Sequence, residues 1–312
     1  MNYNRKREYV VDKRIGNIVI GQSGGPTAVI NASVAGVYRA AKDLGAAKVY
    51  GMVHGIQGFL EENLILLEEY LDSGINIEML KRTPSAFLGT CRYKLPELVG
   101  NEQVYEQIFR IMEKYEIEAF FYIGGNDSMD TVKMLSDYAA EHGRKERFVG
   151  IPKTVDNDLP VTDHCPGYGS AAKYIATSLK EVIRDVQSTG LANPTVLLVE
   201  IMGRHAGWLA AAAALAKGDD CDGADAIYLP ERTFDIDDFV DHIVEVAKDK
   251  NTIVVAVSEG IKLADGRFVC ELGGGADSVD VFGHKQLSGC ALTLAGIVAA
   301  RTGFKTRAIE LS

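Results

Sequence analysis

The segment at residues 150–158, Gly-Ile-Pro-Lys-Thr-Val-Asp-Asn-Asp, places one cation and two carboxylates within a few residues of one another. Lys153 can neutralise a phosphoryl group, and a carboxylate such as Asp156 or Asp158 can take a proton from an attacking hydroxyl. These residue types in this order suit phosphoryl transfer. The alternative is a solvated acidic turn, because Asp and Asn occupy turns for backbone reasons alone.

Two further polar loops favour the chemical interpretation over the simple turn. Gly-Gly-Asn-Asp-Ser at 124–128 precedes the segment, and Met-Gly-Arg-His-Ala-Gly-Trp at 202–208 follows it. Asn126 and Asp127 offer oxygen ligands of the kind that Mg²⁺ or its water molecules take, although Asp127 or Ser128 could instead cap the following helix. A carboxylate in a phosphate site also repels any further phosphate, and so favours a short polyphosphate carried with a metal ion.

Three weaker candidates extend this set. The turn Ser23-Gly24-Gly25 precedes a helical pattern, so its amides can face an anion, or it is only a tight connection between strand and helix. Arg92 could hold a donor phosphate through two hydrogen bonds, or it is a surface arginine. Glu231 follows another strand pattern, where a carboxylate can accept hydrogen bonds from sugar hydroxyls. The histidines show no metal-like spacing.

The elements that position these residues alternate between strand and helix. Short apolar runs typical of strands end just before the polar loops, and helical patterns follow several of them. The predicted strands are 17–23, 119–123, 148–151, 196–201 and 252–257, and the predicted helices are 28–44, 128–142 and 206–216. This alternation predicts an α/β fold with a parallel, doubly wound sheet and ligands at the carboxyl ends of the strands.

Composition limits the class of protein. The chain has 312 residues, enough for two domains, and is 47% hydrophobic and 24% charged. The apolar run at 209–216 is too short to span a membrane, and no apolar segment follows the basic residues 5–7, so we expect a cytoplasmic protein. The net charge of −10 disfavours nucleic acid or an anionic membrane as a partner. The five widely spaced cysteines argue against a disulfide framework or a zinc site.

The three polar loops, in this order and at these intervals, resemble the phosphofructokinase family. The resemblance extends from residue 17 to the end of the sequence. It implies the fold of that family, two Rossmann-like three-layer domains with mainly parallel sheets. The expected domains are 1–155, with the phosphoryl-donor site, and 156–312, with the sugar-phosphate site.

The pair Asp127 and Lys153 is similar to the pyrophosphate-dependent branch of the family. Members that use ATP typically carry Gly at the first position and commonly Gly at the second. The resemblance therefore implies reversible transfer of a phosphoryl group from pyrophosphate to the 1-hydroxyl of fructose 6-phosphate, in glycolysis or gluconeogenesis.

The resemblance also implies roles for individual residues. Asp156 matches the base that deprotonates the sugar 1-hydroxyl, Lys153 supports the transferring group, and Asp127 fills the space of the ATP α-phosphate. Arg204 offsets charge in the transition state and belongs to the sugar-phosphate site. The other implied contacts are Gly25 and Arg92 to pyrophosphate, and Thr154, Val155, Asp158, Met202, Gly203, Glu231 and Arg307 around the sugar phosphate and the transferring group.

The sequence departs from the family pattern at three places. Asn126 stands where the family usually has a metal-binding Asp, which leaves open how Mg²⁺ is held. Thr195 stands where ATP enzymes have an arginine that reaches across subunits. Arg307 matches an arginine that the family often donates to a neighbouring subunit, so we expect a homo-oligomer, a dimer or a tetramer. The sequence ends at Ser312, before the expected C-terminal return segment, as in a truncated product or an incomplete sequence.

Alternative functions stay open at this point. Within the family, the alternatives are an ATP-dependent 6-phosphofructokinase and a sedoheptulose 7-phosphate kinase. A lipid or NAD kinase also uses a Gly-Gly-Asp-Gly turn, but would lack the segments around Lys153 and Arg204. A non-catalytic regulatory subunit is favoured by Asn126 and the missing C-terminal segment, and disfavoured by the retained Asp156.

Overall fold

The computed structural model describes residues 15–188, 193–273 and 289–311. The chain divides into two compact units, Met1–Lys153 and Thr154–Ser312. This division falls two residues before the boundary expected from the family resemblance. The basic residues 5–7 and the terminal Ser312 lie outside the described ranges.

The first unit is built on a five-stranded sheet. Its strands are β1 (Asn17–Gln22), β2 (Val49–Met52), β3 (Leu64–Leu66), β4 (Ile117–Gly124) and β5 (Arg147–Pro152), in the order β3-β2-β1-β4-β5. β1, β2, β4 and β5 pair in parallel, whereas the short β3 pairs antiparallel with β2. Every residue of the central strand β1 is buried, as expected where helices cover both faces of a parallel sheet.

Within residues 15–153, five α-helices cover this sheet. They are α1 (Ile30–Asp43), α2 (Gly55–Leu60), α3 (Gly74–Leu80), α4 (Glu102–Lys114) and α5 (Asn126–Glu141). Because successive strand side chains point to opposite faces, β1 contributes to two separate apolar clusters. Ile18 and Ile20 pack with Val34 of α1, whereas Val19 packs with Ile108 of α4. The first unit therefore has three layers.

The second unit contains a four-stranded sheet in which all described pairings are parallel. Its strands are β6 (Thr195–Ile201), β7 (Ala226–Tyr228), β8 (Thr252–Ser258) and β9 (Lys305–Leu311), in the order β7-β8-β6-β9. Its helices are α6 (Tyr168–Gln187), α7 (Trp208–Ala211), α8 (Ile236–Val246) and α9 (Cys290–Thr302). The same alternation divides β6 between two cores: Val196 packs with Phe239 of α8, and Leu197 packs with Leu179 of α6.

The predicted strands and most of the predicted helices are found, but the helix predicted at 206–216 is different. Only Trp208–Ala211 is α-helical, and Ala212–Ala216 continues as a 3₁₀ helix. The tighter 3₁₀ winding is common where a helix ends. Here three of its small residues are buried beside α6, namely Ala212, Ala213 and Ala216.

Among the described residues, the helices are all too short or too polar to cross a membrane. Cytoplasmic localisation stays a prediction.

Candidate active site

In the first unit, three turns begin side by side at the carboxyl edge of the sheet. Gln22 of β1 pairs with Ile123 of β4, and Gly124 of β4 pairs with Pro152 of β5. The turns after these strands therefore start at one edge of the sheet. They carry the predicted donor-site residues Gly25, Asn126, Asp127 and Lys153.

Lys153 is buried against the turn that follows β1. Lys153 is only 5% exposed to solvent. Its Nζ donates a hydrogen bond of 2.6 Å to the carbonyl oxygen of Gly25. Gly24 has a φ of +73°, and a Cβ there would lie 3.2 Å from the Lys153 Nζ. Glycine at this position lets the turn adopt its conformation and leaves room for the ammonium group. The structure thus brings Lys153 and Gly25 together.

The loop that carries Arg92 is bonded to the same turn. The Thr90 hydroxyl donates to the carbonyl oxygen of Gly24 at 2.6 Å, and the Gly24 N–H donates to the carbonyl oxygen of Cys91 at 3.3 Å. Arg92 follows directly and has an exposed side chain. The backbone at Arg92 is therefore fixed beside the glycine turn, where a cation can reach an anion bound to the turn.

Asn126 and Asp127 form the exposed first turn of α5. The N-cap residue is Gly125, and no side chain caps the helix, so neither Asp127 nor Ser128 has the capping role considered above. Among the described residues, the Asp127 carboxylate accepts no hydrogen bond and forms no ion pair. Its negative charge is favourable at a helix N-terminus, and its oxygens remain available to a ligand.

In the second unit, Asn157 fixes the loop that contains Asp156 and Asp158. Asn157 is buried and adopts the left-handed conformation with a φ of +56°. Its amide donates to the carbonyl oxygen of Asp163 at 3.2 Å and accepts from the N–H of Cys165 at 2.8 Å. With Asn157 turned inward, Asp156 is half-buried and Asp158 is exposed.

Asn157 was not among the predicted site residues. The signal in the sequence was its position between two aspartates, because Asn tolerates the left-handed conformation better than most residues. The hydroxyl of Thr154 adds to the same turn by accepting the N–H of Asp156 at 3.1 Å. Val155, predicted to contact substrate, is half-buried and packs against an apolar cluster that contains Leu179 and Leu197.

The segment Met202-Gly203-Arg204 follows β6. Gly203 has a φ of +145°, and a Cβ there would lie 2.6 Å from the carbonyl oxygen of Ala206, so only glycine fits. The Gly203 N–H donates to Oε1 of Glu259 at 3.2 Å. Glu259 is next to this segment because Ile201 at the end of β6 pairs with Ser258 at the end of β8.

Glu259 is a second carboxylate close to Asp156 and Arg204. Burial raises the pKa of Glu259, and the negative charges of Glu200 and Asp156 raise it further, whereas the Gly203 N–H and Arg204 lower it. Glu259 was not among the predicted site residues. It does follow the strand predicted at 252–257, and so obeys the same rule that identified the other loops.

Glu231 lies in the loop that follows β7. It is exposed, and its Oε1 accepts the N–H of Gly207 at 2.6 Å. This hydrogen bond from a backbone N–H links the Glu231 side chain to the predicted loop at 202–208.

Within one chain, Arg307 lies away from the strand end that carries Arg204. It lies in β9 opposite Leu197, four positions before the terminal pair Ile201 and Leu311. At roughly 3.3 Å per residue, this places its backbone about 13 Å from the carboxyl end of the strand. Its guanidinium donates to Asp185 of α6 at 3.1 Å.

This combination of fold and polar strand ends is found in a known family. Residues 17–310 match the family model described as Phosphofructokinase. The chain belongs to the phosphofructokinase family, which confirms the resemblance noted in the sequence.

The individual relatives differ in the donor that their names give. The pyrophosphate--fructose 6-phosphate 1-phosphotransferase of Methylococcus capsulatus is 44% identical over 291 residues, which are 93% of this chain and 68% of the relative. An ATP-dependent 6-phosphofructokinase of Glaesserella parasuis is 33% identical and covers 94% of this chain and 85% of its own length. The crystal structure of the pyrophosphate-dependent phosphofructokinase of Nitrosospira multiformis superposes with a TM-score of 0.81 and 38% identity, over 94% of this chain and 68% of that chain. The expected fold is confirmed.

Replacing Glu259 by Gln tests the burial of this carboxylate. A raised pKa means that the folded chain binds the proton more tightly than the unfolded chain, so ionisation above the ordinary value of 4.5 opposes folding. We expect Glu259→Gln to melt at a higher temperature than the wild type at neutral pH. This advantage should shrink as the pH falls through the raised pKa towards 4.5. Melting temperatures over this pH range provide the measurement.

Glu62 is a matched control because its pKa is shifted in the opposite direction. Hydrogen bonds from Lys114 and Tyr115 lower the pKa of Glu62, so its carboxylate stabilises the fold above 4.5 and this contribution is lost as the pH falls. Glu62→Gln should therefore melt below the wild type at neutral pH and approach it in acid. The same pH trend in both variants would contradict the account of Glu259.

Proposed function

We propose that the protein transfers a phosphoryl group from pyrophosphate to the 1-hydroxyl of fructose 6-phosphate, giving fructose 1,6-bisphosphate and phosphate. The observation that carries this proposal is the donor-site arrangement in the first unit. Lys153 is buried with its ammonium on the Gly25 carbonyl, and the Asp127 carboxylate at the start of α5 accepts no hydrogen bond among the described residues. The names of the relatives at 42–44% identity support the same reaction.

Asp127 accounts for the choice of donor. A carboxylate repels an additional phosphate group, so a site that contains Asp127 favours pyrophosphate over the longer ATP. Lys153, Gly25 and Arg92 supply positive charge and backbone amides to the two phosphates. Such local cations are needed because the chain as a whole carries a net charge of −10. Pyrophosphate and the bisphosphate product have similar transfer potentials, so the reaction is reversible.

Asp156 is the proposed base of the transfer. Its half-buried carboxylate lies on a loop that Asn157 holds in place, as a group that must meet a substrate hydroxyl requires. Arg204 offsets the negative charge of the sugar phosphate and of the transition state. Thr154 and Asp158 complete the loop, and Met202, Gly203 and Glu231 are the proposed neighbours of the sugar phosphate.

The residues present fit Mg²⁺ as the metal ion. Among the described residues, no group of three His, Cys, Asp or Glu side chains forms a metal site. Mg²⁺ is commonly held by one or two carboxylates together with substrate phosphates and water, so the protein needs to supply few ligands. Asp127 can supply one carboxylate ligand, and Asn126 beside it can supply an amide oxygen. The ion neutralises phosphate charge when it is bound.

The remaining parts of the proposal concern assembly and the alternatives. Because Arg307 lies far from Arg204 along its own sheet, a sugar-phosphate contact from Arg307 requires a second subunit, and we propose a homo-oligomer.

Cytoplasmic localisation belongs to the same proposal. Use of ATP or of sedoheptulose 7-phosphate, or a regulatory role without catalysis, would each be revealed by assaying both donors and both sugar phosphates.

Removing the base tests the catalytic role of Asp156. Asp156→Asn keeps the size and polarity of the side chain but cannot accept the proton, so we expect kcat to fall by at least about 100-fold. The KM for fructose 6-phosphate should change little. Asp163→Asn, a carboxylate on the same loop, is the control and should keep its activity. A normal kcat in Asp156→Asn would exclude Asp156 as the base.

Removing Arg307 tests the sugar-phosphate contact. Arg307→Ala should raise the KM for fructose 6-phosphate much more than it lowers kcat, because a remote binding group acts mainly on affinity. Asp185→Ala is a matched control, since it removes the ion partner of Arg307 and leaves the arginine in place. If both variants raise KM equally, the ion pair and not a substrate contact is responsible.

Replacing Asp127 by Gly tests the donor assignment. The variant opens the space that the carboxylate occupies, so ATP use should appear or rise, although it stays poor while Lys153 remains. Pyrophosphate activity should fall by more than about tenfold, or about 1.4 kcal/mol of transition-state stabilisation. Kinetics with both donors provide the measurement, and Asp130→Ala, a carboxylate farther along α5, is the control.

The two outcomes that would contradict this assignment are distinct. A wild type that prefers ATP would exclude pyrophosphate as the donor. An Asp127→Gly variant with unchanged donor preference would show that Asp127 does not select the donor.

A further inference from the structure

Two buried side-chain amides meet behind the glycine turn of the first unit. Gln22 ends β1 and is 0% exposed, and Asn31 lies in the first turn of α1 and is 1% exposed. The Gln22 Nε2 donates to Asn31 Oδ1 at 2.9 Å and to the carbonyl oxygen of Ile30 at 3.1 Å. Burying such amides is costly unless their hydrogen-bonding groups are satisfied, so the other partners of this pair indicate what it stabilises.

Those other partners all lie in one loop, residues 83–92, which we call the arginine loop because it ends at Arg92. Asn31 Nδ2 donates to the carbonyl oxygens of Thr83 and Ser85, both at 2.9 Å. The same side chain accepts the N–H of Phe87 at 2.8 Å. Gln22 Oε1 accepts the N–H of Leu88, also at 2.8 Å. Four backbone groups of the arginine loop are thus held by two side chains.

The arginine loop contains no helix or strand that would fix its shape. Its backbone includes two left-handed residues, Ser85 with a φ of +66° and Gly89 with a φ of +71°. A non-glycine residue in this region is strained, and such strain persists only where neighbouring contacts determine the conformation. The bonds from Asn31 to either side of this strained position supply such contacts.

The far end of the arginine loop reaches the glycine turn. Thr90 and Cys91 each bond to Gly24, as described above, and Arg92 follows. The loop is therefore held by the two amides at its beginning and by the glycine turn at its end. Its conformation decides where the Arg92 backbone lies relative to Gly25.

We propose that Gln22 and Asn31 are positioning residues for the phosphoryl donor: they hold the arginine loop so that Arg92 and the glycine turn bind one pyrophosphate together. The inference rests on the proposed function, because Arg92 and Gly25 contact pyrophosphate only in that proposal. Neither amide needs to touch the ligand. Small displacements of groups that bind a substrate weaken binding strongly, so distant support of this kind is measurable.

The decisive variant is Asn31→Ala, which removes three of the four bonds to the arginine loop. We expect hydrogen exchange at the Phe87 N–H to accelerate by about tenfold or more, because this amide loses its acceptor. The KM for pyrophosphate should rise by about tenfold, whereas the KM for fructose 6-phosphate should stay within about twofold of the wild type.

Asn17→Ala is the matched control. Asn17 is also a buried amide of β1, but it lies at the opposite end of the strand and donates to the carbonyl oxygen of Tyr115 at 2.8 Å. This variant loses a buried amide hydrogen bond in the same unit but none to the arginine loop. It should leave both the exchange of Phe87 and the KM for pyrophosphate unchanged.

Three outcomes would overturn the inference or separate it from the proposed function. Unchanged exchange in Asn31→Ala would show that the amides do not hold the loop. Faster exchange with an unchanged KM for pyrophosphate would show that the loop does not position the donor. A wild type without pyrophosphate activity would overturn both the proposed function and the donor role, while the exchange data would still decide whether the amides hold the loop.

Gln22→Met covers the case in which Asn31→Ala does not fold. Methionine has a similar length and removes the bond to the Leu88 N–H without adding a charge. Exchange at Leu88 and the KM for pyrophosphate should then rise together. A rise in exchange without any rise in KM would again exclude the donor role.

Discussion

Parallel pairing is the constraint on which this structure depends. Strands that run in the same direction end at the same edge of a sheet, so loops far apart in sequence begin side by side. In the first unit this places the turns after β1, β4 and β5 together. In the second it places Gly203 beside Glu259, more than fifty residues away in sequence. Each half of the proposed chemistry is thus a consequence of strand direction.

The same constraint explains how much of the fold could be predicted from the sequence. The strands that precede polar loops, such as β4 and β8, are long and apolar with a glycine within two residues of their end, and each was found where it was predicted. The short β3 and β7 have three residues each and carry too little pattern to be recognised. The alanine-rich segment was predicted as one helix because alanine favours helices, but tertiary packing decided its winding.

The candidate site was less predictable than the fold, for a physical reason. Residue types show which groups can carry charge or move a proton, and on this ground Lys153, Asp127 and Asp156 are predicted as site residues. Residue type alone does not show which way a side chain points: half-buried Val155 packs against an apolar cluster, and Arg307 pairs with Asp185 away from the end of its strand. Glu259 and Asn157 gain their importance from a backbone N–H or a left-handed φ, which only the folded chain reveals.

The edge strand β9 has a further consequence for the behaviour of the protein in solution. Within the described residues it pairs only with β6, and an edge of this kind can recruit strands from other molecules. Its exposed residues Lys305, Arg307 and Glu310 are charged, which is how natural sheets discourage such aggregation. Replacing Arg307 therefore removes a charge from this edge strand together with the proposed ligand contact, so solubility and affinity can change together.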